Sequence, residues 1–380
     1  MRSEPRGLVF GILFLVCTGA RELGEKNVDI TGGNSAKAQV SATGSLEPEK
    51  GWSNTSTAGV QDYEGDPILR PSGLGEWLLG DPTVLQLGDE LHLWGNEVFH
   101  GILHFSAKLT DVTNFTKVET SVRLPGANRA YAHFDAARDT VILFYEQYTP
   151  PFFRSSRIQW VESKVDGNWK WSAPTLALEP ALEWEMIGTK RVGNPFVFFN
   201  AQVSKWWMYY SASSVHLDDA DIDEPLHLGL AQADDLRGNW TRVTATPLAI
   251  KGGEFQNATV LGIGSLKLVK GMNGDGTPRV ALCNRVTRHD VTHVTGSTIS
   301  SLKSVDGGLS WQVETATLIT PTPAAEPNTW KESYVYGFDT FVSPSDSNWT
   351  LVFYNARNGW RHAMEAIGVS RVRPQSILRI

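Results

Sequence analysis

An all-β fold, a five-bladed β-propeller, is what the sequence predicts, on three observations. An apolar strand pattern of fixed internal order recurs along the chain. Aromatic residues are dense, with 14 Trp, 16 Phe and 9 Tyr. No stretch keeps a 3.6-residue apolar period, so helices are expected to be few. Repeats of roughly 50 to 80 residues holding four short strands suit propeller blades with loop insertions. A solenoid would need shorter and more regular units. At 380 residues the chain exceeds a usual single domain, but a propeller grows by repetition.

The repeat is clearest from Asp81. Residues 81–87 read as a first strand, Gly88-Asp89-Glu90 as a turn, 91–94 as a second strand and 101–106 as a third, with a ragged fourth at 113–118. A second copy turns at residues 136–139 and continues through 141–145. The third opens at Asn194, runs through the aromatic segment 205–211 and closes at Trp240. The fourth is placed at 258–261, 279–282 and Trp311, the fifth at 339–342, 350–354 and 366–370. Blade starts are thus expected at Asp81, about Tyr131, Asn194, Asn257 and Asp339. Residues 304–311 (SVDGGLSW) resemble the Asp-box hairpin of propellers, whose Asp, Gly and Trp have a structural role. Trp94 and Trp207 are expected to pack between blades.

Ahead of the repeats, Arg2 and Arg6 precede an apolar run at 8–17, and Thr18, Gly19 and Ala20 follow it. This reads as a signal peptide over residues 1–20, because ten apolar residues are too few for the ~20 that cross a bilayer. Residues 21–62 are rich in Gly, Ser, Thr and charge and read as a flexible leader, with the propeller body at 63–380. The expectation is a secreted protein without a membrane span. Sequons at Asn54, Asn114, Asn239, Asn257 and Asn348 suit that compartment. Removal of the signal peptide would take Cys17 and leave Cys283 alone, inside the apolar run 280–283, as a buried thiol. The net charge of −7, without a basic cluster, argues against a nucleic-acid partner.

In a propeller the first strands converge on the axis, and one mouth of the channel is the default ligand site. Asp81, Asn194, Asn257 and Asp339 would reach it, with His133 and Asp135 near the second-blade start. Arg129 and Arg191 precede first strands and suit a carboxylate or sugar hydroxyls. His289 and His293 share one face if that region is β, but a metal site is not expected there.

Residues 80–94 (GDPTVLQLGDELHLW) resemble the opening blade of the five-bladed glycosidases, the arabinanase and β-xylosidase family (family 43) and its invertase and levansucrase relatives. Residues 193–198 and 209–211 are similar to that family's third blade. The resemblance implies a secreted glycoside hydrolase acting on oligo- or polysaccharides, with Asp81 as the base that activates water. It implies a carboxylate that orients the acid where Asn194 stands, and the acid itself where Asn257 stands, with Glu254 three residues earlier. Asn donates no proton, so Glu254 or Asp339 is left as the acid partner of Asp81. The alternative is a propeller that binds carbohydrate or recognises a cell surface without cleaving. Carbohydrate is the expected partner. No cofactor is expected, apart from the structural calcium that some relatives hold on the axis.

Overall fold

The computed structural model describes residues 51–54, 59–71, 78–97, 100–122, 124–149, 155–166, 168–220, 222–322, 330–357 and 365–378. The expected signal peptide and most of the leader lie outside them.

The described chain is almost entirely β. Its helical elements are a 3-10 turn at Glu183–Met186 and one α turn, α1, at Pro374–Ile377. No helix among the described residues is long and apolar enough to cross a membrane.

Three sheets are four-stranded antiparallel meanders. One holds β3 (Leu79–Leu87), β4 (Glu90–Glu97), β5 (Gly101–Lys108) and β6 (Thr116–Val122), after the N-terminal strands β1 (Trp52–Asn54) and β2 (Val60–Tyr63). The next holds β7 (Ala127–Asp135), β8 (Thr140–Tyr148), β9 (Ser156–Lys164) and β10 (Thr175–Leu178). The third holds β11 (Val192–Asn200), β12 (Lys205–Leu217), β13 (Ile222–Ala233) and β14 (Thr241–Arg242).

The remaining strands form one hydrogen-bonded sheet in two parts. One part is β16 (Ala258–Leu268), β17 (Val280–His289), β18 (Thr295–Lys303) and β19 (Ser310–Ile319), with the short β15 (Ala249–Lys251) parallel to β19. The other is β20 (Tyr334–Val342), β21 (Thr350–Arg357) and β22 (Glu365–Val372). The parts meet at one parallel pair, Ser297 with Tyr334. The innermost strands touch in a closed cycle: β3 packs against β7 and β20, β11 against β7 and β16, and β16 against β20.

The boundary expected at residue 63 shifts. β2 pairs antiparallel with β22, and β1 with β2, so Trp52–Asn54 and Val60–Tyr63 already belong to the last sheet. An N-terminal strand laid on a C-terminal sheet protects an edge that would otherwise be open. Asp62 reinforces the joint by accepting hydrogen bonds from Lys331 and Ser370.

The apolar strand faces meet between sheets, where Trp94, Trp311, Tyr209 and Phe353 are fully buried and Trp207 is buried. Cys283 is buried too, which pushes its thiol up to about 12 and leaves it inert. At the Asp-box, the Asp306 carboxylate accepts from Ser304 Oγ and from the Ser310 backbone and hydroxyl. Trp311 packs below, as such a hairpin requires.

Candidate active site at the mouth of the axis

Every innermost strand carries a β-bulge. The ladder jumps from Gly80 to Thr83 in β3, from Asn128 to Tyr131 in β7 and from Gly193 to Phe196 in β11. It jumps from Ile263 to Leu266 in β16 and from Val335 to Phe338 in β20. The first residues skipped at these jumps are Asp81, Arg129, Asn194, Gly264 and Tyr336. Asp81, Arg129 and Asn194 share a left-handed backbone, with φ of 47°, 51° and 47°. A bulge re-aims a side chain out of the ladder, and strained backbone of this kind gathers at functional sites.

This register corrects the sequence alignment in three strands. The counterpart of Asp81 is Arg129 in β7, Gly264 in β16 and Tyr336 in β20, in place of Tyr131, Asn257 and Asp339.

A cavity of about 380 Å³ opens at this end, lined among others by Asp81, Arg129, Arg191, Glu224, Tyr336, Arg357 and Glu365. Asp81 is held from several sides. Its backbone N–H donates to Asn355 Oδ1 at 3.1 Å. Asn96, with its amide nitrogen facing Asp81, donates to Oδ2 at 2.8 Å. Arg129 Nε lies 3.9 Å from Oδ2. Burial raises the Asp81 carboxyl above the ordinary carboxylate value, and Arg129 and Lys267 oppose the rise.

Arg129 and Arg191 both reach Glu146 on β8. Arg191 Nε is 2.9 Å from Oε1, and Arg129 Nη1 is 3.2 Å from Oε2. Burial alone would raise Glu146, but the two guanidinium groups outweigh it and hold the carboxyl below its ordinary value. Glu146 is thus an ionised anchor for two arginines. Glu365 behaves oppositely: burial raises its carboxyl despite Arg357, and it accepts from Tyr336 and from Asn355 Nδ2.

Glu224 completes the set. It sits on the extended β12–β13 hairpin, where Val215 pairs with Glu224 and Leu217 with Ile222. Among the described residues its carboxyl has no hydrogen-bond partner. Burial raises it, and Arg129, Arg191 and Arg357 oppose the rise.

The residues singled out from sequence separate into two groups. Asp81, Arg129 and Arg191 come together at the cavity, and Asn194 lies just below it. Asn194 is committed to structure, donating to Ser211 Oγ at 2.9 Å and to the Gly264 carbonyl at 2.6 Å. The others lie elsewhere. Glu254 is exposed on the segment before β16, in a separate groove with Phe255 and Arg285. Asn257 is exposed beside it, as an accessible sequon would be.

Asp339 is fully buried down the axis, and its Oδ2 accepts from Thr83 Oγ1 (3.0 Å), Val84 N (2.9 Å) and Lys270 Nζ (3.0 Å). Held in this way, it joins β3 to β20 and does not line the cavity. His133 and Asp135 occupy the far end of β7. His133 packs edge-on to Trp206, and Asp135 pairs with Arg237 at 2.7 Å. His289 and His293 flank a tight turn, with His293 N–H donating to the His289 carbonyl at 2.9 Å.

The residues not foreseen are Glu146, Glu224, Tyr336, Arg357 and Glu365. Glu146 left a signal, a carboxylate inside the apolar run 141–148 that only buried cations would balance. Glu224 left none, because its hairpin reads as a polar loop insertion.

The axis does not fit calcium, which takes six to eight oxygen ligands. The small cavity below Asp81 is lined by Arg129 and Lys267 as well as Asn194 and Ser265. Lys267 is buried there, which lowers its ammonium against the opposing pull of Asp339. Among the described residues no cluster of three or more His, Cys, Asp or Glu side chains suits a metal ion.

No protein-family model and no curated protein matches the sequence. Solved structures do. The catalytic domain of a Coprinopsis cinerea family 62 α-L-arabinofuranosidase aligns with a TM-score of 0.54 at 14% identity, over 80% of this chain and 95% of that one. The fold is that of the β-propeller glycosidases. An α-L-arabinofuranosidase from Podospora anserina, in complex with cellotriose, gives 0.52 at 12% identity, over 81% and 95% of the two chains. An N-acetylgalactosamine deacetylase from F. plautii, in complex with blood group B trisaccharide, gives 0.56 at 11% identity, over 82% and 97%. The same scaffold thus carries more than one reaction on sugars, and chemistry must be read from the site.

Proposed function

We propose that the protein is a secreted glycoside hydrolase on a five-bladed propeller, cleaving glycosidic bonds of oligo- or polysaccharides with Asp81 as base and Glu224 as acid. The observation that carries this reading is the pairing of Asp81 with Glu224 in one cavity, two carboxyls on different sheets whose other neighbours differ. Glycoside hydrolysis needs one protonated carboxyl to protonate the leaving oxygen and one ionised carboxylate to act on the opposite side of the sugar. Glu224 suits the first task, because burial favours its neutral form and no partner holds its proton. Asp81 suits the second, because Arg129, Lys267 and the Asn96 amide support its anion. In this scheme Glu224 gives its proton to the departing oxygen as the C–O bond breaks. Asp81 takes a proton from the water that attacks the anomeric carbon, and product release precedes proton exchange between the two carboxyls through solvent. Arg129 and Arg191, locked by Glu146, orient the sugar hydroxyls.

Asn194 favours a second reading. It stands where the resemblance calls for a carboxylate that orients the acid, so a propeller that binds sugar without turnover is the competing account. Release of reducing sugar from a panel of aryl glycosides and oligosaccharides decides between them. Hydrolysis by the wild-type protein, abolished in Asp81→Asn, is expected; binding of the same sugars with no release by any form would establish the competing account.

A further inference from the structure

Among the described residues, one arginine of the cavity is deeply buried with its hydrogen-bonding fork unused. Arg191 spends its Nε and Nη2 on Glu146, while Arg129, less deeply buried, donates through Nη1 to Glu146 and Tyr148 and sets its Nε 3.9 Å from Asp81. Arg357, at the end of β21, is buried and lines the same cavity. Its Nε and Nη2 are both buried and, among the described residues, have no hydrogen-bond partner. Those two N–H groups point the same way and form the edge that grips a carboxylate with two parallel hydrogen bonds.

The neighbours of Arg357 do not replace that partner. Its Nη1 is 4.0 Å from Glu365 Oε1, beyond hydrogen-bond reach. Glu365 is already engaged by Tyr336 and Asn355. The ring of Tyr334 covers one face of the guanidinium at 4.8 Å and fixes its plane. A buried guanidinium with two orphan donors is costly, and such a group in a native fold calls for an explanation.

From this geometry, and resting on the hydrolase reading for the identity of the cavity, we infer that the substrate is an acidic glycan whose uronosyl carboxylate docks on the Nε–Nη2 fork of Arg357. The carboxylate supplies both missing acceptors in one planar group. A neutral sugar supplies hydroxyls, which satisfy the donors singly and without a charged acceptor. Glu224 lines the same cavity, so the anchored group would set the ring relative to the bond to be cut.

Calorimetric titration of the whole protein with a panel of methyl glycosides and short oligosaccharides of glucuronate, galacturonate and mannuronate, each beside its carboxyl methyl ester, tests this. The ester keeps the shape and removes the charge. At least one uronate is expected to bind tenfold or more tighter than its ester. Arg357→Gln is expected to erase that preference, and Arg357→Lys to lose most of it, since an ammonium offers no planar fork. Should the Arg357 variants fail to fold, the acid–ester comparison on the wild-type protein still decides. Esters binding as well as acids, or no uronate binding at all, would overturn the inference, whatever the protein hydrolyses. Selective uronate binding without bond cleavage would uphold it while removing the hydrolase reading.

Discussion

The backbone of Gly337 runs so close to Asp81 that a Cβ at position 337 would overlap Asp81 Oδ1. Gly337 is the second bulge residue of β20, and the space its missing side chain leaves is where the Asp81 carboxylate lies. Gly193 does the same for the Glu146 carboxylate. Bulge glycines of one sheet therefore make room for acids of another, and the site depends on how the sheets meet.

Gly337→Ala should displace Asp81 with little damage to the fold, because the severe overlaps are with the ends of the Asp81 and Asn355 side chains and the Asp81 Cα, at 2.9 Å, has to give only slightly. A shift of about 1 Å at a reacting group costs on the order of 10²-fold in rate. The expected outcome is a loss of that size in kcat with a melting temperature close to wild type. Full activity in a folded Gly337→Ala protein would show that Asp81 is not positioned in this way.

Asp339 should govern stability and leave chemistry alone. It clasps Thr83, Val84 and Lys270, and Thr83 Oγ1 in turn accepts from Ala132 N at 3.0 Å, so one carboxylate links β20, β3 and β7. Removing one partner of a buried pair costs about 3–5 kcal/mol, so Asp339→Ala should lower stability by that order. Turnover per folded molecule is expected to stay near wild type. Burial would raise this carboxyl, but Lys270 and Lys267 outweigh it and hold it below the ordinary value. A depressed folded value means the stabilisation is complete above the unfolded value of about 3.9 and is lost as pH falls through the folded one. Denaturant titrations of wild type and Asp339→Ala should therefore converge as the solution is acidified.

Lys267 should tune the base. Its buried ammonium favours the ionised form of Asp81, so removing it raises the Asp81 value further. In Lys267→Met the acidic limb of the pH–rate profile is expected to move to higher pH, with the alkaline limb little changed. An unmoved limb, or one displaced toward acid, would separate Asp81 ionisation from the rate.

The sequence made the repeat legible wherever proline marked the bulge. Asp81-Pro82 and Asn194-Pro195 each pair a left-handed residue with a proline that cannot join the ladder, and both strands were placed in register. Gly264-Ser265 and Tyr336-Gly337 carry no such mark, so the polar residues Asn257 and Asp339 drew the alignment away from the true bulges. Asp81, Arg129 and Arg191 were found because they sit at or next to strand starts. Glu224 was hidden because its position follows from cross-strand pairing of a polar hairpin, which composition does not encode. Glu365 and Arg357 were hidden for a related reason: they come from outer strands, and the expected ring considered only the innermost ones.

The roles of Asp81 and Glu224 are tested most directly by leaving-group dependence in Glu224→Gln. A general acid matters most when the departing oxygen is a poor leaving group, where it contributes about 10²–10⁴-fold. Hydrolysis of an oligosaccharide should fall by that order in Glu224→Gln, while a dinitrophenyl glycoside, whose phenolate needs no proton, should be cleaved at close to the wild-type rate. An equal loss on both substrates, or no loss on either, would contradict Glu224 as the acid.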